Sequence, residues 1–375
     1  MNMRRRHLGF SLVELMIALL LASITAVVVL QVLTSYQARK ATTVGRNDAQ
    51  ISAAVGLYAL EKDIRMAGAG LMIPGGQLCS AGVNIAYAGA AVSNAAPLLP
   101  LRIIDGGAGP DTIEIVRSNS EFGAAPTRLV QTMASATSTM GVDSMAGLSL
   151  GDLVLVGAPD GSKICTLMQL SQAPTANGAG WTLAHASGAS NYNPADPTTV
   201  FTNAVSYDIR DKVINLGRLG LRRYSVVCSD GAAPSATNIC DLGSYNGLAT
   251  PAPTLADISS VAPQVIELQA QYGVAPACPA ANCQVVNEWV DATGPTWAAP
   301  SLANQRRIKA VRIAVIARGA REGAAVTPGP LRLWEADAVM KTGAVDRPLG
   351  AGEQRFRYQV LNVVVPLINI IWAGI

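Results

Sequence analysis

Histidine, aromatic rings and charge are all scarce in this chain of 375 residues: it has two histidines, 5% aromatic residues and 14% charged residues. His7 falls within the first nine residues, which leaves His185 as the one imidazole for the remaining length. Acid–base or metal chemistry built on histidine therefore has little to draw on, and His185 reads as an incidental loop residue. HExxH and Walker A patterns are absent, which removes the sequence signatures of zinc peptidases and P-loop nucleotide enzymes. In GAPDGSK (157–163) the glycines precede a lysine at the wrong spacing for a P-loop, and a hairpin turn accounts for them. No CxxC pair occurs, and a structural zinc needs four ligands at fitting spacings. The stretch from Asp105 to Asp111 encloses GGAGP but lacks the alternating oxygen ligands of an EF-hand, so it reads as a glycine turn. On these grounds no catalytic residue, metal or cofactor is assigned. Trp181, Trp289, Trp297 and Trp334 could line an adhesive or sugar-binding surface, but anchoring in the core or in loops is the simpler reading.

Charge is scarcest near the N-terminus. Three residues separate Arg4, Arg5 and Arg6 from a run of 24, Phe10 to Leu33, with a single ionisable side chain, Glu14. About 20 apolar residues suffice for a helix to cross a bilayer. The three arginines hold the short N-terminus on the cytoplasmic side, which would put the remainder on the far side of a membrane. A carboxylate within such a span costs about 2.5 kcal/mol or more at the bilayer centre, so Glu14 needs a cationic partner. Cutting between Gly9 and Phe10 would create one: an amine one helical turn from Glu14, on the same chain or on a neighbouring copy. An ordinary secretory signal has a shorter apolar core of about 7–15 residues. A plain anchor explains the length but neither Glu14 nor the Gly–Phe pair.

The stretch GFSLVELMIAL, preceded by basic residues, resembles the class III signal of type IV prepilins. That resemblance implies that a membrane peptidase cuts after Gly9 and methylates Phe10. It makes Arg4, Arg5 and Arg6 the leader charge and Glu14 the residue that promotes subunit docking. The chain then divides into a leader (1–9), a membrane and filament-core half-helix (10–33), an exposed amphipathic half-helix (34–70) and a β-rich ectodomain (71–375).

Without Arg4, Arg5 and Arg6 the 28 basic residues fall to 25, equal to the 25 acidic ones. A global nucleic-acid-binding face is therefore not evident, and the cluster Arg306, Arg307 and Lys309 reads as a solvated strand end. Six cysteines, Cys79, Cys165, Cys228, Cys240, Cys278 and Cys283, all follow the apolar span. In an exported chain they read as up to three disulfides. Six cysteines allow about fifteen connectivities; local spacing favours Cys228–Cys240 and Cys278–Cys283, which leaves Cys79–Cys165.

No proline interrupts the chain before Pro74, so one helix is expected from Phe10 to about Ala67, roughly 87 Å long at 1.5 Å per residue. Its second half carries two apolar stripes, Val44/Ile51/Val55/Tyr58 and Ala53/Leu57/Leu60/Ile64. One packs on a sheet; the other meets either neighbouring subunits or the same domain. Residues 71–110 read as loop. Strands are expected at 111–118, 152–158, 163–170, 181–185, 217–228, 308–319 and 355–366. Residues 264–274 are ambiguous between helix and strand, and 229–263 and 275–305 read as surface excursions. The fold class is α+β and pilin-like: a long N-terminal helix packed on an antiparallel sheet, with long disulfide-tied loops.

LEKDIRMAGAG (60–70), VIELQAQYGV, VRIAVIARG and RFRYQVLNVVVPLIN resemble, in order, the PilW-like group of minor pilins. The resemblance implies a minor pilin that enters or primes a type IV pilus at or near its tip, supporting biogenesis, twitching motility and adhesion. Implied partners are other minor pilins, the major pilin, the prepilin peptidase, the inner membrane before assembly and a tip adhesin, with nucleic acid not expected. The alternatives are a type II secretion pseudopilin and a tip-displayed adhesin or DNA-binding module.

Overall fold

The computed structural model describes residues 11–69, 71–73, 76–120, 126–178, 180–218, 221–247, 253–319, 327–350 and 352–373. One helix, Leu12–Arg65, runs for 54 residues, about 81 Å at 1.5 Å per residue. It stops where Gly68 takes φ 75° and donates its N–H to Val116 O. The stretch Leu12–Gln37 is long and apolar enough to span a membrane and none of it is buried.

From Gly45 onward the helix meets the rest of the molecule. Gly45, Ala49, Ala53, Gly56, Leu60 and Ile64 are buried at helical spacing, the stripe a helix needs to pack on a sheet. Gly56 is there for proximity: a Cβ on it would lie 3.0 Å from Leu242 and 3.3 Å from Ala262. The loss of helix propensity it brings, about 1 kcal/mol relative to Ala, goes with a closer approach of helix to sheet. Leu57 is half-buried, whereas Val44, Ile51, Val55 and Tyr58 stay exposed on the other side.

Two sheets receive the helix. One is four-stranded, in the order Glu288–Val290, Val265–Val274, Ile308–Arg318, Tyr358–Pro366, and antiparallel throughout. The other is five-stranded, in the order Ser259–Pro263, Cys240–Asn246, Leu221–Cys228, Thr112–Val116, Leu101–Ile104, also antiparallel. Val311, Ile313 and Val315 face the helix-side core, while Ala314 and Ile316 face a smaller core under the hairpin Leu331–Trp334/Val345–Arg347. Both faces of the central strand are therefore covered, and all eleven of its residues are buried.

A second lobe is built around a six-stranded sheet: Ala90–Ala96, Val83–Tyr87, Cys165–Gln169, Leu153–Gly157, Lys212–Gly217, Thr127–Arg128. One of its pairs is parallel, Val83–Tyr87 with Cys165–Gln169. One face is covered by a cluster including Leu78, Leu98, Leu155 and Leu216, the other by one including Met133, Val142, Leu183 and Tyr207. Residues 71–110, expected as loop, thus supply five strands, and the excursion 229–263 supplies Cys240–Asn246 and Ser259–Pro263. The ambiguous segment is a strand, Val265–Val274, because it has partners on both sides.

Candidate functional site

The long helix carries the residues that the sequence singles out. Glu14 sits in its first turn, where the positive end of the helix dipole favours a carboxylate. Its side chain is exposed, and no ion pair to it occurs among the described residues. Arg4, Arg5, Arg6, Gly9 and Phe10 lie outside the described residues.

At its other end the helix is latched by Asp63, a residue the sequence reading passed over. Asp63 is buried, with 4% of its surface exposed. Arg117 and Arg222 each approach its carboxylate to 3.3 Å, and the Tyr224 hydroxyl donates to it. The available signal was its place around the helix: it lies three residues from Leu60 and beside Ile64, on the buried stripe. Glu61, two positions away, instead pairs with Arg65 on the surface.

Three disulfides join Cys79 to Cys165, Cys228 to Cys240, and Cys278 to Cys283. The first ties the turn before Val83–Tyr87 to the start of Cys165–Gln169, its parallel neighbour. The excursion closed by the second is also held by Arg318, which stacks on Phe356 at 4.5 Å and donates to Ser235 O and Asn238 O.

Residues with possible chemistry resolve into structural roles. His185 is buried rather than incidental: its Nε2 lies 2.7 Å from Ser138 O, and burial holds its pKa below the ordinary histidine range. Lys163 of GAPDGSK pairs with Asp208 and Asp211. Asp111 accepts the N–H groups of Gly106 and Ala270, and burial pushes its carboxyl up to about 7. A GxSxG pattern does occur, Gly147–Leu148–Ser149–Leu150–Gly151. A nucleophile elbow ends a strand and opens a helix, whereas this turn leads into strand Leu153–Gly157, and His185 is engaged elsewhere. No group of three or more metal-ligating side chains occurs among the described residues. The basic cluster separates: Arg306 is exposed, Arg307 lies 5.3 Å from the Trp297 ring centroid, and Lys309 is buried. It is thus neither a basic patch nor a solvated strand end.

Residues 4–30 match the prokaryotic N-terminal methylation motif, and residues 245–369 match the family described as Type IV Pilus-assembly protein W. The chain is PilW-like. No curated protein and no solved structure matches it. The PilW match begins within strand Cys240–Asn246 and runs into the short helix Ile368–Ala373, so it contains the whole four-stranded sheet. The six-stranded lobe falls between the two matched segments. The two matches support a type IV pilus-related minor pilin and point to a structural pilus component rather than an enzyme. Its signal and apolar helix fit a membrane-anchored pilin that is later assembled, with other pilus components and the prepilin peptidase as partners.

Proposed function

We propose that this chain helps prime assembly of a type IV pilus with other minor pilins and takes a place at or near the tip, supporting twitching motility and adhesion. The observation that carries the reading is the surface of the long helix. Leu12–Gln37 is wholly exposed, and Val44, Ile51, Val55 and Tyr58 continue an apolar face away from the sheets. An apolar surface of this extent marks an interaction site; first lipid and then the helices of neighbouring subunits would cover it. The six-stranded lobe adds bulk beyond the matched segment, which suits a position with few lateral neighbours. The major pilin and a tip adhesin are the expected contacts within the filament.

In this reading residues 1–9 are the leader. Arg4, Arg5 and Arg6 keep it cytoplasmic and leave residues 71–375 in the periplasm before assembly. The peptidase cuts between Gly9 and Phe10, and Phe10 is methylated. Residues 10–33 form the filament core, residues 34–70 pack laterally, and Glu14 of an incoming subunit pairs with a neighbour's N-terminal amine. Glu14→Ala is expected to be processed normally and to be strongly depleted from sheared pili by mass spectrometry; normal incorporation would remove the docking role. Gly9→Val is expected to keep the uncut mass, and a processed mass for that variant would sink the cleavage assignment.

A further inference from the structure

An open cleft of about 390 Å³ lies between the edge strand Glu288–Val290 and the loop that precedes Val345. That volume is within the range of small-molecule sites. Trp289, Trp297, Gln271, Asp291, Lys341 and Thr342 line it.

The two indoles are held in place from behind. Trp289 pairs across the sheet with Gly273, where a Cβ would lie 2.6 Å from the ring, so glycine is what lets the indole sit there. The Arg312 guanidinium lies 5.2 Å from the Trp289 ring and 4.6 Å from that of Trp334, which is itself buried. Trp297 is approached by Arg307 at 5.3 Å and by Tyr272 at 6.5 Å. Rings fixed in this way lose little freedom when a ligand settles on them. The loop opposite is fixed too: Asp337 and Thr342 exchange both backbone hydrogen bonds, and Met340 O accepts the N–H of Trp289.

The polar groups form a directed series. Arg312 Nε donates to Gln271 Oε1, and Gln271 Nε2 donates to Asp291 Oδ1, each at 2.6 Å. Of the side chains that line the cleft, Thr342 has a buried Oγ1 with no protein partner. An unpaired buried group is costly, and a ligand rich in hydroxyls would relieve it. Charge is balanced along the lining, with Asp291 negative and Lys341 positive, both exposed. An anion would meet Asp291, a cation would meet Lys341, and a purely apolar ligand would leave the polar groups unpaired.

We propose that this cleft binds a short neutral glycan. Trp289 and Trp297 supply platforms for the C–H faces of the sugar rings, and Gln271, Asp291, Lys341 and Thr342 exchange hydrogen bonds with its hydroxyls. The site goes beyond the filament role, since binding belongs to the isolated chain whether or not it is assembled. The test uses the full chain in amine-oxide micelles, a detergent without a sugar headgroup. Maltotriose, cellotriose and N,N′-diacetylchitobiose are titrated in, with sialyllactose and glucosamine disaccharide as the charged arms, and tryptophan fluorescence and saturation-transfer NMR are followed. The expected result is saturable binding of at least one neutral sugar, weakened about tenfold or more by Asp291→Ala. Trp297→Ala weakens it as well, and Trp181→Phe, in the other lobe, leaves it unchanged. Asp291 is exposed, so its replacement leaves the core intact, and an unchanged thermal midpoint verifies that. Absence of saturable binding to all three neutral sugars overturns the proposal. So does preference for a charged sugar, or binding that neither Asp291→Ala nor Trp297→Ala weakens.

Discussion

A single carboxylate, that of Asp63, ties the end of the long helix to Arg222 and Tyr224 of the five-stranded sheet and to Arg117, just past its strand Thr112–Val116. Removing one member of a buried ion pair typically costs about 3–5 kcal/mol, because the partner charge stays behind without compensation. Two arginines would be left here, both largely buried. Asp63→Ala is therefore expected to lower stability by about 3 kcal/mol or more, read as a shift in the denaturant midpoint of the full chain in detergent. A loss under about 1 kcal/mol would mean that the pairs behave as surface ones and that the helix is held by its apolar stripe alone. Arg312 makes the same point from the sheet. In VRIAVIARG the arginine marks no solvent face; it lies against two tryptophans and a glutamine.

The helix is the element with two destinies. Its sheet-facing side is complete within the chain, and its other side, with Ile51 and Tyr58, is left bare. Substitutions at exposed positions away from special features usually stay within about 0.5 kcal/mol. Ile51→Glu with Tyr58→Glu is expected to leave the unfolding midpoint unchanged and to lower the amount of chain recovered in sheared pili. Unchanged recovery would show that this face is not used. The helix, its buried stripe and the strands Ile308–Arg318 and Tyr358–Pro366 were legible in the sequence, because their patterns extend over many residues. Strands such as Ala90–Ala96 and Cys240–Asn246 were not. AAVSNAA and CDLGSYN have little apolar periodicity, and both become strands by pairing with Val83–Tyr87 and Leu221–Cys228. The cleft was legible only in part. The tryptophans were visible, but nothing local separates Trp289 and Trp297, which line it, from Trp181 in the other lobe and Trp334 in the core.

For the molecule as a whole, the chain passes from the helix to the six-stranded lobe, back for Leu101–Ile104 and Thr112–Val116, out again, and back at Leu221. Asp111 stands beside one of these crossings, bonded to Gly106 and to Ala270 of the four-stranded sheet, with Asp105 and Glu267 nearby. Its folded-state pKa, about 7 against an ordinary 3.8, means that the folded chain holds a proton the unfolded chain has released. Stability from this group is full below pH 4 and is lost as pH rises toward 7, by up to about 4 kcal/mol. Burial raises Glu267 as well, with the same sign, and depresses His185, which opposes it below pH 6.5. The difference between the stability curves of the unaltered chain and Asp111→Asn isolates the Asp111 contribution. It is expected to change with pH between 4 and 7, and a flat difference would refute the assignment. The route of the chain also sets a timetable. The strands that supply most of the helix's cover begin only at Ser259 and end at Pro366, although Leu242 and Tyr224 reach it earlier. At about 5–20 residues per second during synthesis, the stripe of the helix waits roughly 10 to 40 s for the start of that main cover. During that interval the nascent chain displays both of its apolar helix faces, and a holding chaperone has a defined segment to grip.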